Sequence, residues 1–194
     1  MNVSLRQQLN HIDLGLKHYV QQLQFLAFHD PLTKLPNRFL FKDRLTGAIK
    51  HSKRSNQTFG LLFIDLDKFK SVNDNYDHRI GDKLLRQAAD RIIATLRESD
   101  TAARFGGDEF VVIVEDLSGD KAAAKIAAVI LKKLRQPFDL EGQSISISGS
   151  IGIAIFPKHG WSSEQLIKNA DMALYQAKAL GGNNYQIYGS ESRR

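Results

Sequence analysis

One short stretch near the middle of the chain restricts its fold more than any other. Arg104-Phe105 and the apolar run from Phe110 to Val114 flank Gly106-Gly107-Asp108-Glu109. A glycine pair reaches the positive φ angles that tight hairpins need, so the segment predicts strand, turn, strand. Phe59 to Ile64 is apolar apart from Gly60 and follows the polar cluster Lys53-Arg54-Ser55-Asn56-Gln57. It predicts a buried strand ending in Asp65, Leu66 and Asp67. Elsewhere the spacing turns helical. Lys83 to Arg97 places Leu84, Leu85, Ala88, Ala89, Ile92, Ile93 and Leu96 on one face. Lys121 to Leu134 is a further amphipathic helix, marked by Ile126, Ile130 and Leu134. Leu166, Ala170, Ala173 and Ala177 share a face of another, capped by Ser162 or Ser163. Ile145 to Phe156 is β-rich, and Asn184 to Tyr188 predicts a closing strand. The order is α/β with at least one antiparallel hairpin, so a mixed sheet covered by helices is expected.

The N-terminal stretch carries a different pattern. Leu5, Leu9, Ile12, Leu16, Tyr19, Leu23 and Leu26 are spaced alternately by four and three. This predicts a coiled-coil seam, with Arg6, Gln7, Gln8, Gln21 and Gln22 facing outward. The alternative is a single amphipathic helix docked on its own domain. Asp30-Pro31 breaks the helix, and a turn-rich connector runs to Arg38. The next helix is expected to start near Asn37 and to fade before Lys53.

Composition removes some function classes. There is no cysteine, which excludes disulfides and thiolate metal sites. A formal net charge of +6 suits an anionic ligand, whether nucleotide, nucleic acid or membrane surface, and equally suits an ordinary basic surface. No basic run is interleaved with aromatics and no nucleic-acid-binding motif is visible, so no nucleic-acid partner is expected. No apolar run is long enough to span a bilayer, and the N-terminus lacks the apolar block of a signal peptide. The expectation is a soluble, cytoplasmic fragment whose parent protein is free to be membrane-anchored.

The carboxylates carry the chemistry. Asp65 closes an apolar strand, and Asp108 and Glu109 sit at a hairpin tip. A sheet can bring a strand end and a neighbouring hairpin tip together. Carboxylates clustered there repel one another, and their ionised forms become favourable when a hard cation binds between them. Mg²⁺ takes one or two carboxylates plus substrate phosphates. Two nearby metals can activate an attacking hydroxyl and stabilise a leaving pyrophosphate. Taken singly, each of these acids reads as a solvated group. The Gly-Gly pair with two acids between apolar strands is what points to a site.

With these residues in view, the chain resembles the GGDEF family of diguanylate cyclases, whose five-residue signature stands intact as Gly106-Gly107-Asp108-Glu109-Phe110. The resemblance extends to Asp30-Pro31-Leu32-Thr33 with Leu35-Pro36-Asn37-Arg38. It includes Asp65-Leu66-Asp67-Lys68-Phe69-Lys70, Asn73-Asp74, His78 and Gly81-Asp82. It continues in Ala170-Asp171-Met172-Ala173-Leu174-Tyr175 with Ala177-Lys178. These motifs cover roughly residues 29 to 188 in family order. The implied division is an N-terminal signalling or coiled-coil helix at 1–28, a cyclase domain at 29–188 and a tail at 189–194.

The resemblance implies a palm-like α/β domain related to nucleotidyl cyclases, preceded by a helical extension. It implies Mg²⁺ or Mn²⁺, two ions per active site, ligated by Asp65 and Asp108 and assisted by the backbone carbonyl of Leu66. Glu109 is a further acidic group, for the second metal or for the 3′-hydroxyl proton. Asn73 and Asp82 would hydrogen-bond guanine, whose edge offers both acceptor and donors. Lys70 and Lys178 would neutralise phosphate charge. Gly106 and Gly107 would let the backbone approach the phosphates, and His78 matches a family position near the nucleotide, with a satisfied structural histidine as the alternative. Arg97 and Asp100, at the family's spacing upstream of the signature, match the Arg-x-x-Asp site for inhibitory cyclic di-GMP; taken alone, such a pair is usually a helix-terminal ion pair.

Three positions depart from the family pattern. Lys34 and Asp77 stand where glycine is usual, and Gly182 stands where arginine often supplies a phosphate contact. The implied partners are GTP, cyclic di-GMP and a second copy of the chain. Leu35-Pro36-Asn37-Arg38 and Asn184-Tyr185-Gln186-Ile187-Tyr188 resemble members fused to a sensor and followed by a phosphodiesterase domain. The rival expectation is a catalytically weak module that only binds GTP or cyclic di-GMP. The intact signature acids and glycines argue against it.

Overall fold

The computed structural model describes residues 16, 19, 20 and 22–190. Residues 22–28 are helical and lead into the connector. Helix α1 (Arg38–Ser55) begins where Asn37 caps it, its side chain accepting from the backbone of Phe39 at 3.0 Å and Leu40 at 3.1 Å. It runs through Lys53 and Arg54, into the polar cluster expected to follow it. Basic residues suit a helix C-terminus, and Asn56 in the left-handed region ends it.

Strand β1 (Phe59–Asp67) follows, then helix α2 (Phe69–Asn75), helix α3 (His78–Ile93), strand β2 (Thr101–Gly106) and strand β3 (Glu109–Val114). Helix α4 (Asp120–Leu134) leads to the strands β4 (Phe138–Leu140) and β5 (Gln143–Ile145), which form a separate small hairpin. Strand β6 (Ser148–Phe156), helix α5 (Ser163–Ala179, capped by Ser162) and strand β7 (Tyr185–Ile187) complete the order. The main sheet runs β2-β3-β1-β6-β7. β1 is central and antiparallel to both β3 and β6, while β7 joins β6 in parallel. The expected mixed sheet covered by helices is what forms.

β1 is buried on both faces, which explains its near-continuous apolar run. Leu62, Ile64 and Leu66 face one core with α3 and α4, and Leu61 and Phe63 face another with α1 and α5. Asp65 is therefore held near the end of a central strand fixed from four sides.

Some sequence expectations were displaced. The helix expected over Lys83 to Arg97 occupies His78–Ile93. The Asp77 side chain caps it, accepting from Ile80 N at 2.9 Å. After Ala94 the chain tightens into a turn, and Leu96 packs on the core from there, extending the apolar spacing but not the helix. Ile145 belongs to β5, so the β-rich stretch is two strands in different sheets. Leu5, Leu9 and Ile12 of the heptad lie outside the described residues. Leu16, Tyr19, Leu23 and Leu26 are 60%, 61%, 51% and 53% exposed, so these four do not dock into the domain's own core.

Candidate active site

The antiparallel register of β1 and β3 sets Asp65 directly opposite Glu109. Between β2 and β3 the turn is Gly107-Asp108, with Gly107 at φ +50°. The Asp108 carbonyl accepts from Leu66 N at 3.4 Å, so the turn folds against the end of β1. Like charges opposite each other on a sheet are destabilising. Asp65 is only 8% exposed, and its one ion pair among the described residues is with Lys178 of α5, at 2.8 Å. Burial pushes the Asp65 carboxyl up from its ordinary value; the hydrogen bond from Lys178 opposes this, and Asp108 and Asp67 push it further. Glu109 is also raised, first by burial and then by Asp65, Asp108 and Asp171. Carboxylates thus gather here around one lysine.

This donor set fits a hard divalent cation. Among the described residues no three acidic or histidine side chains close a metal cage by themselves. An ion here would share its ligands with the substrate, as Mg²⁺ commonly does. Asp67, two residues along, is not available in the same way. Its carboxylate accepts from Ser148 Oγ at 2.6 Å, Ser150 Oγ at 2.7 Å and Asn183 N at 2.9 Å.

Asn73 on α2 and Asp82 on α3 come from consecutive helices. Asn73 Oδ1 is buried and has no hydrogen-bond partner among the described residues. It sits against Gly81, where a Cβ would come within 1.9 Å of it. A buried acceptor without a donor is costly, and a guanine N–H would satisfy it. Asp82 and His78 are exposed, His78 as the first residue of α3. Lys70 is exposed on α2 with no ion pair among the described residues. A cavity of about 810 Å³ opens beside Asp65, walled by Lys178, Lys68, Ser71 and Gly182. Asn73, His78, Asp82, Lys70 and the signature turn lie outside its walls. At Gly106 a Cβ would meet nothing, so protein packing does not demand glycine there.

Arg97 is exposed and makes no side-chain ion pair with Asp100 among the described residues. The Asp100 carboxylate instead accepts from the backbone of Arg97 at 2.9 Å and Glu115 at 3.1 Å. It holds the turn before β2, and the Arg97 guanidinium is left to solvent.

Sequence reasoning gave Arg104 no role. Its Nε and Nη2 donate to the Gly107 carbonyl at 3.0 and 2.7 Å, and its Nη1 donates to both Asp30 oxygens at 3.0 and 3.1 Å. One guanidinium thus braces the signature turn against the connector. Both residues stand inside quoted motifs, but their meeting across 74 positions has no local signal. The departures also find their geometry. Lys34 at φ +64° and Asp77 at φ +138° occupy backbone that favours glycine, and Gly182 has φ +73°.

The family model described as "Diguanylate cyclase, GGDEF domain" matches residues 27–184. The chain belongs to this family. Its GGDEF domain is 46% identical over 170 residues to MucR of Pseudomonas aeruginosa, a bifunctional diguanylate cyclase/cyclic di-GMP phosphodiesterase, covering 88% of this chain and 25% of MucR. The solved GGDEF domain of TpbB from the same organism superimposes with a TM-score of 0.81 at 40% identity, over 82% of this chain and 94% of that one. The coiled coil and GGDEF domain of DgcB from Caulobacter crescentus, solved with c-di-GMP, superimposes with a TM-score of 0.82 at 26% identity, over 96% of this chain and 100% of that one. The GGDEF domain described here spans about a quarter of the length of MucR. Among its described residues no helix is long and apolar enough to cross a membrane.

Proposed function

We propose that this chain is a diguanylate cyclase that condenses two GTP molecules into cyclic di-GMP and releases two pyrophosphates. The observation that carries this is the carboxylate cluster. Asp65 and Glu109 face each other across β1 and β3 beside Asp108, and burial first, then neighbouring carboxylates, raises both. That arrangement is costly in an isolated fold and useful only when positive charge arrives.

In this reading each domain holds one GTP, and two domains face each other so that each 3′-hydroxyl meets the other's α-phosphorus. An O3′–Pα bond forms, the bond from Pα to the bridging oxygen breaks, and pyrophosphate leaves. Asp65, Asp108 and the Leu66 carbonyl would hold divalent metal, two ions per site, which would lower the hydroxyl pKa and offset phosphate charge. Glu109 supplies a further carboxylate, for the second ion or for the hydroxyl proton. Asn73 and Asp82 orient guanine, with His78 beside it. Lys70 and Lys178 place positive charge on the phosphates, and Gly106 and Gly107 keep the turn clear of side chains. Cyclic di-GMP would bind at Arg97 and Asp100 and inhibit. The working unit is a homodimer of 29–188, paired through the helix at 1–28, with 189–194 as a tail.

The test is to incubate the purified protein with GTP and Mg²⁺ and to look for cyclic di-GMP by chromatography and mass spectrometry. Product that disappears in Asp108→Ala supports the cyclase. No product at concentrations that force dimers, with bound product first removed, overturns it in favour of a nucleotide-binding module.

A further inference from the structure

The cavity beside Asp65 is lined by three cations, Lys68, Arg135 and Lys178. Lys178 lines it and pairs with Asp65 at 2.8 Å. Gly182 lines it too, yet that position is a poor place for a side chain. Its φ is +73°, and a Cβ would stand 3.1 Å from the Asp67 carboxylate, which Ser148, Ser150 and Asn183 already hold in place. The end of α5 therefore brings a single cation to the cavity, and Lys178 divides its charge between Asp65 and any phosphate that enters.

Two other cations line the same cavity, Lys68 and Arg135, and neither has a hydrogen-bonded or ionic side-chain partner among the described residues. Arg135 follows the last residue of α4, its backbone fixed by a bond from its N–H to the Leu131 carbonyl at 3.0 Å. Ser144 and Ser146 add hydroxyls to the same cavity. A guanidinium fork matches phosphate oxygens in a way that a lysine does not. A nucleoside triphosphate carries most of its charge on its outer phosphates. A cavity with two unpaired cations and hydroxyls fits that end of the molecule.

We propose that Arg135 binds the outer phosphates of the nucleotide and sets the preference for a triphosphate over a monophosphate. The inference rests on the guanine-nucleotide reading of the site. Arg135 is a substrate-binding residue that touches neither guanine nor the reacting carboxylates.

The experiment titrates the whole chain and its Arg135→Ala and Arg135→Lys variants with α,β-methylene-GTP, which cannot be cleaved, and with GMP, both with Mg²⁺, by calorimetry. Arg135→Ala is expected to weaken the triphosphate analogue about tenfold and to leave GMP unchanged, with Arg135→Lys in between. Unchanged GMP binding also reports an intact fold. Equal losses for both ligands, or no loss for either, overturn the proposal while the nucleotide reading stands. A wild-type chain that binds neither ligand overturns both.

Discussion

Asp30 is part-buried and Asp65 buried, each with a cation close by, and the fold treats them in opposite ways. At the connector, burial alone would raise Asp30, but hydrogen bonds from the Thr33 backbone and hydroxyl and from Arg104 outweigh it and hold the carboxyl below its ordinary value. Asp30 and Arg104 are only 17% and 14% exposed, so the pair is largely shielded from water. At the site, Asp65 has a single cation, Lys178, which is 44% exposed, and carboxylates surround it. Its value is raised. One corner is complete within the chain, and the other is complete only with added positive charge. A fold keeps such a deficit where a ligand supplies the difference.

Removing the deficit should break function and spare stability. Asp65→Asn is expected to lower cyclic di-GMP formation by about a hundredfold or more. With metal removed by chelator, its thermal midpoint should match or exceed that of the wild-type chain, because a crowded charge is gone. A midpoint several degrees lower would mean that Asp65 is a structural partner of Lys178, and the contrast with Asp30 would collapse.

The connector should behave the other way. Asp30→Ala strands Arg104 and two donors of Thr33 and is expected to cost about 2 kcal/mol in denaturant unfolding, with binding of a GTP analogue retained. Arg104→Ala removes the brace on the Gly107 carbonyl as well, so it should lower both stability and product formation. Arg104→Lys keeps a charge for Asp30 but loses the fork, so it should restore stability more than turnover. Equal recovery of both would show that the brace does not position the turn.

The two aspartates also differ in sign with pH. The folded value of Asp30 is lowered, so its contribution is present above the unfolded value of 3.8 and is lost as pH falls through the folded value. Asp65 is raised, so its penalty is absent below 3.8 and develops as pH climbs from there through the folded value. Under chelator, the stability advantage of Asp65→Asn should therefore be present at neutral pH and vanish below about pH 4. The cost of Asp30→Ala should also shrink in acid, through the loss of a favourable interaction in the wild-type chain. Denaturant melts across pH read both curves.

What the sequence made legible follows the same division. β1 and the signature hairpin were readable because apolar runs and a glycine pair act locally. Asp65, Asp108 and Glu109 could be singled out because a Gly-Gly pair with two acids stands between apolar strands, not because any one acid is unusual. Helix α2 was not anticipated, since Phe69–Asn75 is seven residues long with two asparagines and only Phe69 and Val72 buried. Tertiary packing, not periodicity, makes it helical. The start of α3 was missed because the Asp77 cap sits at φ +138°, where a glycine would have been the usual marker. Arg104 was invisible for a different reason. Its partner Asp30 lies 74 positions away, and only the folded chain brings it beside the turn that carries the Gly107 carbonyl.

The smallest expected effect on the domain itself lies just before the connector. Leu16 and Leu23 are more than half exposed in a single chain, so replacing them removes little buried surface. Leu16→Glu with Leu23→Glu should leave domain stability within about 0.5 kcal/mol of the wild-type value. If the helix pairs two chains, the charged seam should weaken the dimer, and product formation should fall at low protein concentration and recover at high concentration. Sedimentation and turnover measured over one dilution series separate the cases. Unchanged turnover throughout would mean that the domains pair without the helix. A large drop in domain stability would mean that the helix packs on its own domain, and the connector would then be part of one continuous structural region, not the boundary between a pairing helix and a catalytic domain.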